Sequence, residues 1–99
     1  MMECVHTYTR DPIPEDKVHE LMVITAEECG EVVQECMKIL RFGISETNIT
    51  RLEKEMGDLM CMYDLLVKYN CVDKHRVSSY TENKREKLKT YSNLIEEEV

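Results

Sequence analysis

Proline and glycine are so scarce, and so placed, that most of this chain has nowhere to break a helix. Of 99 residues two are Pro and three are Gly, and both prolines lie in Asp11-Pro12-Ile13-Pro14. Proline lacks an N–H and clashes with the preceding turn, so this segment blocks helix before it, while Pro14 suits a first helical turn. Residues 1–13 therefore read as an irregular lead-in. Glu15 and Asp16 follow, where negative charge complements the helix N-terminus. From there to Arg41 the chain holds no proline and one glycine. Phe42-Gly43 stops this helix, with Gly43 as a left-handed C-cap. Ser45 to Asn48 supply cap residues for a second helix running to about Tyr69. Asn70-Cys71 breaks it, and Asp73 caps a third. There Val77, Tyr80, Lys84, Leu88, Tyr91 and Ile95 recur at three- and four-residue steps. The acidic end, residues 96–99, suits a helix C-terminus poorly and is expected to fray.

The length allows one small domain, 1–99, with no linker or internal repeat. Apolar residues make up 42% and charged residues 33%, which is a globular composition. One Phe and the abundance of Glu, Lys, Leu and Met favour helix over sheet. The expected fold class is all-α. A net charge of −7 argues against nonspecific attraction to nucleic acid or an anionic membrane. No apolar run is long enough to span a bilayer, and the N-terminus lacks a signal-peptide pattern. The five cysteines, Cys4, Cys29, Cys36, Cys61 and Cys71, include no CxxC pair of the kind a structural zinc site wants. They read as buried free thiols of a cytoplasmic protein.

Helix geometry turns each residue by roughly 100°, so faces follow from the sequence. In the first helix Leu21, Val32, Val33, Cys36, Ile39 and Leu40 define an apolar stripe. Glu28 falls inside its margin, Glu31 lies one step outside, and Glu35 lies between the two acids. The second helix has Leu52, Met56, Leu59, Met62, Tyr63 and Leu66, with Glu55 within the stripe and Asp58 at its edge. Both acid pairs are spaced i, i+3, which stacks two side chains on one face. Burying an unpaired carboxylate is costly, and two facing pairs would repel each other. A hard divalent cation with oxygen ligands, Mg²⁺ or Mn²⁺, resolves the conflict. The competing explanation is a solvated helix flank, its acids paired with Lys38, Lys54 or Arg51.

Glu27-Glu28-Cys29-Gly30-Glu31, then a spacer, then Glu55-Met56-Gly57-Asp58, matches an EExxE…ExxD signature. In this the chain resembles the MazG-like, all-α nucleoside triphosphate pyrophosphohydrolases. Lys38-Ile39-Leu40-Arg41-Phe42-Gly43 and Lys84-Arg85-Glu86-Lys87-Leu88 with Tyr91-Ser92 look like flanking family text. The resemblance runs from about Leu21 to Ser92. It implies that Glu28, Glu31, Glu55 and Asp58 bind Mg²⁺ (or Mn²⁺), with Glu27 or Glu31 orienting the attacking water. It further implies a homodimer or homotetramer in which helices of two chains complete a four-helix bundle. The reaction would be hydrolysis of a (d)NTP to the monophosphate and pyrophosphate, a role in nucleotide-pool housecleaning.

The basic residues that would meet polyphosphate are Lys84 and Lys87 on the third helix, and Lys38, about 15 Å along the first helix from Glu28. Each has an ordinary alternative as a solvated lysine, and Lys38 with Arg41 also suits a helix C-terminus. Tyr63 reads as core before it reads as a stacking platform. Three other functions remain in play: a phosphoribosyl-ATP pyrophosphohydrolase-like enzyme, a non-catalytic nucleotide-binding or regulatory oligomer, and a diiron carboxylate bundle. The last wants two Glu-x-x-His pairs on core helices, whereas Glu3-x-x-His6 falls in the lead-in and His19 is preceded at that spacing by Asp16.

Overall fold

The computed structural model describes residues 15–96, which fold as three helices with no strand among them: α1 (Glu15–Phe42), α2 (Glu46–Lys68) and α3 (Lys74–Tyr91). The expected lead-in, Pro14 and the last three residues lie outside the described residues.

Each helix boundary has a local chemical cause. Gly43, at φ +88°, sends its N–H back to Ile39 O at 2.8 Å and closes α1 in the left-handed C-cap expected for it. Ser45 is extended, and its Oγ accepts from Asn48 N at 3.1 Å, satisfying one of the orphan N–H groups of α2. Asn48 also donates through Nδ2 to Gly43 O at 3.0 Å, so one side chain ties the two helix ends together. Such a short connection forces α1 and α2 to run antiparallel. At the other end of α2, Asn70 takes φ 62° and Cys71 N donates to Leu66 O at 2.8 Å. Asp73 then caps α3, its carboxylate accepting from His75 N at 2.8 Å and Arg76 N at 3.1 Å. These bonds hold the Asp73 carboxyl below its ordinary value, the Arg76 N–H contributing most.

α3 ends sooner than its periodicity suggests. Ser92 donates from both N and Oγ to Leu88 O, each at 3.0 Å, and its hydroxyl accepts from Leu94 N at 3.1 Å. A serine that satisfies the backbone in this way offers the chain an alternative to another helical turn. Ile95 and Glu96 consequently lie beyond the helix.

α1 and α2 make the main tertiary contact. Leu21 and Met62, both 6% exposed, are the buried apolar residues between them, and Glu35 is buried at the same depth. The hairpin therefore presents two unlike sides. One carries the acids. The other carries Met22, Val33, Met37, Leu40, Met56 and Met60, all exposed, and α3 covers only part of it. Val77, Ser78 and Thr81 of α3 meet Thr25, Leu59, Met60, Tyr63 and Leu66 around a cavity of about 500 Å³.

Several stripe residues are thus more open than their periodicity implies. Val33 is 59% and Leu40 77% exposed, because two packed helices bury only the line along which they touch. The cysteines follow suit. Cys29, Cys36 and Cys61 are free but exposed, not buried, Cys71 is half-buried, and Cys4 lies outside the described residues. No helix among the described residues is long and apolar enough to cross a membrane.

Candidate metal centre

The antiparallel crossing of α1 and α2 brings together acids far apart in sequence. Glu28 from α1 and Glu55 and Asp58 from α2 each offer a carboxylate oxygen, all within 4.8 Å of one another. Two opposite oxygens each about 2.1 Å from Mg²⁺ stand about 4.2 Å apart, so the cluster is of the size that one such ion spans. The acids form the floor of an open groove of about 480 Å³, with Glu27, Glu31, Gln34 and Lys54 on its walls. Glu55 is more enclosed than Asp58, its side chain 13% exposed against 43%.

The electrostatics are those of crowded like charges. Partial desolvation raises the Glu28 pKa above the ordinary carboxylate value, and the charges of Asp58 and Glu55 raise it further. Lys54 offsets part of this. Its Nζ lies 3.0 Å from Asp58 Oδ2 and 3.7 Å from Glu55 Oε2, bridging two of the three acids. The hydrogen bond to Asp58, then the charges of Asp58 and Glu55, push the Lys54 pKa up.

Three of the four acids expected to bind metal thus converge. Glu31 lines the same groove but is not part of the converging set, and Glu27 stands beside it on the wall. The lysines are distributed differently. Lys38 lies at the loop end of α1, bonded to Glu35 Oε2 at 3.2 Å. Lys84 and Lys87 are exposed on α3 and are not among the groove-lining residues.

The basic residue that does line the groove is Lys54, which the sequence placed only as a salt-bridge partner of the acids. Its signal was present: it immediately precedes Glu55 and stands i, i+4 from Asp58, the spacing of a helical ion pair. Glu35 is the other surprise, because nothing in the pattern separated it from its partly exposed neighbours.

Three hard carboxylate donors beside an ammonium that already occupies a cation's position between two of them make a donor set suited to Mg²⁺ or Mn²⁺. Comparison with known proteins leaves this geometry to stand by itself: no family model, no curated protein and no solved structure matches the chain.

Proposed function

We propose that this protein is a Mg²⁺-dependent, MazG-like nucleoside triphosphate pyrophosphohydrolase. The observation that carries the proposal is the convergence of Glu28, Glu55 and Asp58, one from the first motif and two from the second, at a groove that also displays Glu31 and Glu27. Glu28, Glu55 and Asp58 would hold the cation, with Glu31 near enough along the groove to serve as a further oxygen donor. When bound, the divalent ion lowers the pKa of water and neutralises phosphate charge. The chain's own contribution is to position groups around that chemistry. The carboxylate of Glu31 or Glu27 accepts a proton from the attacking water. Water adds at the phosphorus on the nucleoside side of the α–β bridge, the bridging P–O bond breaks, and nucleoside monophosphate and pyrophosphate leave. No covalent intermediate is needed.

The acidic groove cannot hold a naked triphosphate, so metal and nucleotide bind as a complex. Lys38, Lys84 and Lys87 do not reach the groove of their own chain, which is consistent with a pocket shared between copies. The uncovered apolar side of the hairpin supports the same assembly, a homodimer or homotetramer that completes a four-helix bundle. Exposed patches of this kind mark association surfaces.

The test is an assay of the purified protein against a panel of NTPs and dNTPs, with and without Mg²⁺. Monophosphate and pyrophosphate should appear together and EDTA should abolish both. Stepwise release of single phosphates would mean that the wrong bond has been assigned. Metal and nucleotide binding with no turnover would favour the non-catalytic regulatory oligomer.

A further inference from the structure

The Lys54 side chain is 69% exposed, yet its ammonium lies 3.0 Å from Asp58 Oδ2 and 3.7 Å from Glu55 Oε2. A lysine free to extend into water has instead placed its charge among the acids. We propose that Lys54 is a built-in counter-ion: its ammonium offsets the Glu55 and Asp58 carboxylates in the metal-free protein, and a divalent cation must displace it to enter. The inference rests on the metal-binding reading above and deepens it.

Two physical facts support the exchange. Three carboxylates within 4.8 Å repel one another unless a positive charge lies between them. Lysine is suited to be that charge temporarily, because its ammonium is a compact point charge on a flexible four-carbon stem, unlike the planar fork of arginine. A divalent ion carries twice the charge and takes several oxygen ligands at once, so it can win the position. Once displaced, the ammonium swings towards the open groove, where it is available to a phosphate oxygen. Metal entry would then create the groove's phosphate contact, whether the cation arrives alone or with the triphosphate.

Isothermal titration with Mn²⁺ alone on the intact chain tests this, comparing wild type with Lys54→Met, Lys54→Gln and Lys89→Met. Lys89 on α3 is bonded to Glu86 and not to the cluster, so its variant reports the effect of removing a positive charge in general. Both Lys54 variants should bind Mn²⁺ about tenfold tighter than wild type, while Lys89→Met changes affinity less than twofold. Without metal the Lys54 variants should melt lower than wild type, and at saturating Mn²⁺ that gap should close. Equal or weaker Mn²⁺ binding by the Lys54 variants would overturn the proposal, and so would equal tightening in Lys89→Met. If no variant and no wild-type sample binds Mn²⁺, the metal reading itself fails. A protein that binds Mn²⁺ with affinity insensitive to Lys54 defeats only the counter-ion. Retained helical circular dichroism at each titration confirms that folded protein is being compared.

Discussion

Glu35 Oε2 accepts a hydrogen bond from Lys38 Nζ at 3.2 Å, while Glu35 Oε1 is buried without a donor. The pair is unequal, since the Lys38 side chain is 41% exposed and that of Glu35 only 7%. Removing the lysine therefore strands a buried acceptor, whereas removing the acid leaves a lysine that can turn to water. Lys38→Met should destabilise the protein by roughly 1–3 kcal/mol, the range for an unsatisfied buried polar group. Glu35→Met should be neutral or stabilising, as hydrophobic replacement of buried ionic groups often is. Urea melts of the two variants decide the matter. A loss in Glu35→Met as large as in Lys38→Met would show that the carboxylate contributes something its contacts do not reveal.

The converging acids give a prediction about catalysis and stability together. Glu28→Gln, Glu55→Gln and Asp58→Asn should each lower turnover by more than about 100-fold, the upper range for changes outside the ligand shell of a metal site. Mg²⁺ should raise the melting temperature of wild type more than that of any variant, because a ligand that binds only the folded form stabilises it. Variants with wild-type activity would reduce the cluster to a solvated helix flank.

The pH dependence has a definite sign. Glu28 has a folded-state pKa raised by desolvation and by its acidic neighbours, so the folded protein binds that proton more readily than the unfolded chain. Its contribution to stability therefore improves as pH falls through the raised value, and Glu28→Gln should abolish that part of the profile. Asp73 acts oppositely. Its lowered pKa gives a contribution present above the ordinary carboxylate value and lost as pH falls through the folded one. Lys54, with a raised pKa, contributes fully below the ordinary lysine value and loses its contribution only in strongly alkaline solution. Thermal melts across the acid range should show Glu28→Gln and Asp73→Ala diverging from wild type in opposite directions. Parallel profiles would refute the assignments.

Assembly is tested on the uncovered face. Met60 is 53% exposed and Met56 42%, with half-buried Val67 two turns further along α2. Met60→Glu or Val67→Glu would place a charge in any contact made there and should dissociate a dimer or tetramer. Light scattering of wild type and variants measures this. A wild-type monomer that is folded and active at micromolar concentration would remove both the interface and the shared pocket.

The α1–α2 turn carries a stability prediction independent of function. Ser45→Ala removes the Oγ that accepts from Asn48 N and should cost about 1 kcal/mol. Gly43→Ala has open space around the new Cβ, but φ +88° penalises any L side chain by roughly 1–2 kcal/mol. Both losses should appear in chemical denaturation with little change in residual activity per folded molecule.

The sequence was most legible where punctuation is chemical. Gly43, Ser45, Asn70 and Asp73 each do at the helix ends what their side chains or backbone freedom dictate. The same periodicity placed Glu28, Glu55 and Asp58 on facing sides, and the antiparallel hairpin made them neighbours. Burial was less legible. Leu40, Val33 and Cys36 belong to an apolar stripe, yet a stripe records which side is apolar and not whether anything covers it. The end of α3 is hidden for a related reason: Ile95 keeps the helical rhythm, while Ser92 decides the backbone. The burial of Glu35 and the groove position of Lys54 were not legible because they depend on which rotamer a long side chain adopts against its neighbours. Helical angle alone does not specify that.

The connection from Gly43 to Ser45 also bears on how the protein comes into being. Because so few residues join α1 to α2, the hairpin that assembles Glu28 with Glu55 and Asp58 closes through a very short loop, and closing that loop costs little entropy. Folding dominated by local contacts is fast. The two site-bearing helices can pair without waiting for α3 to dock, so the acids can meet before the fold is complete.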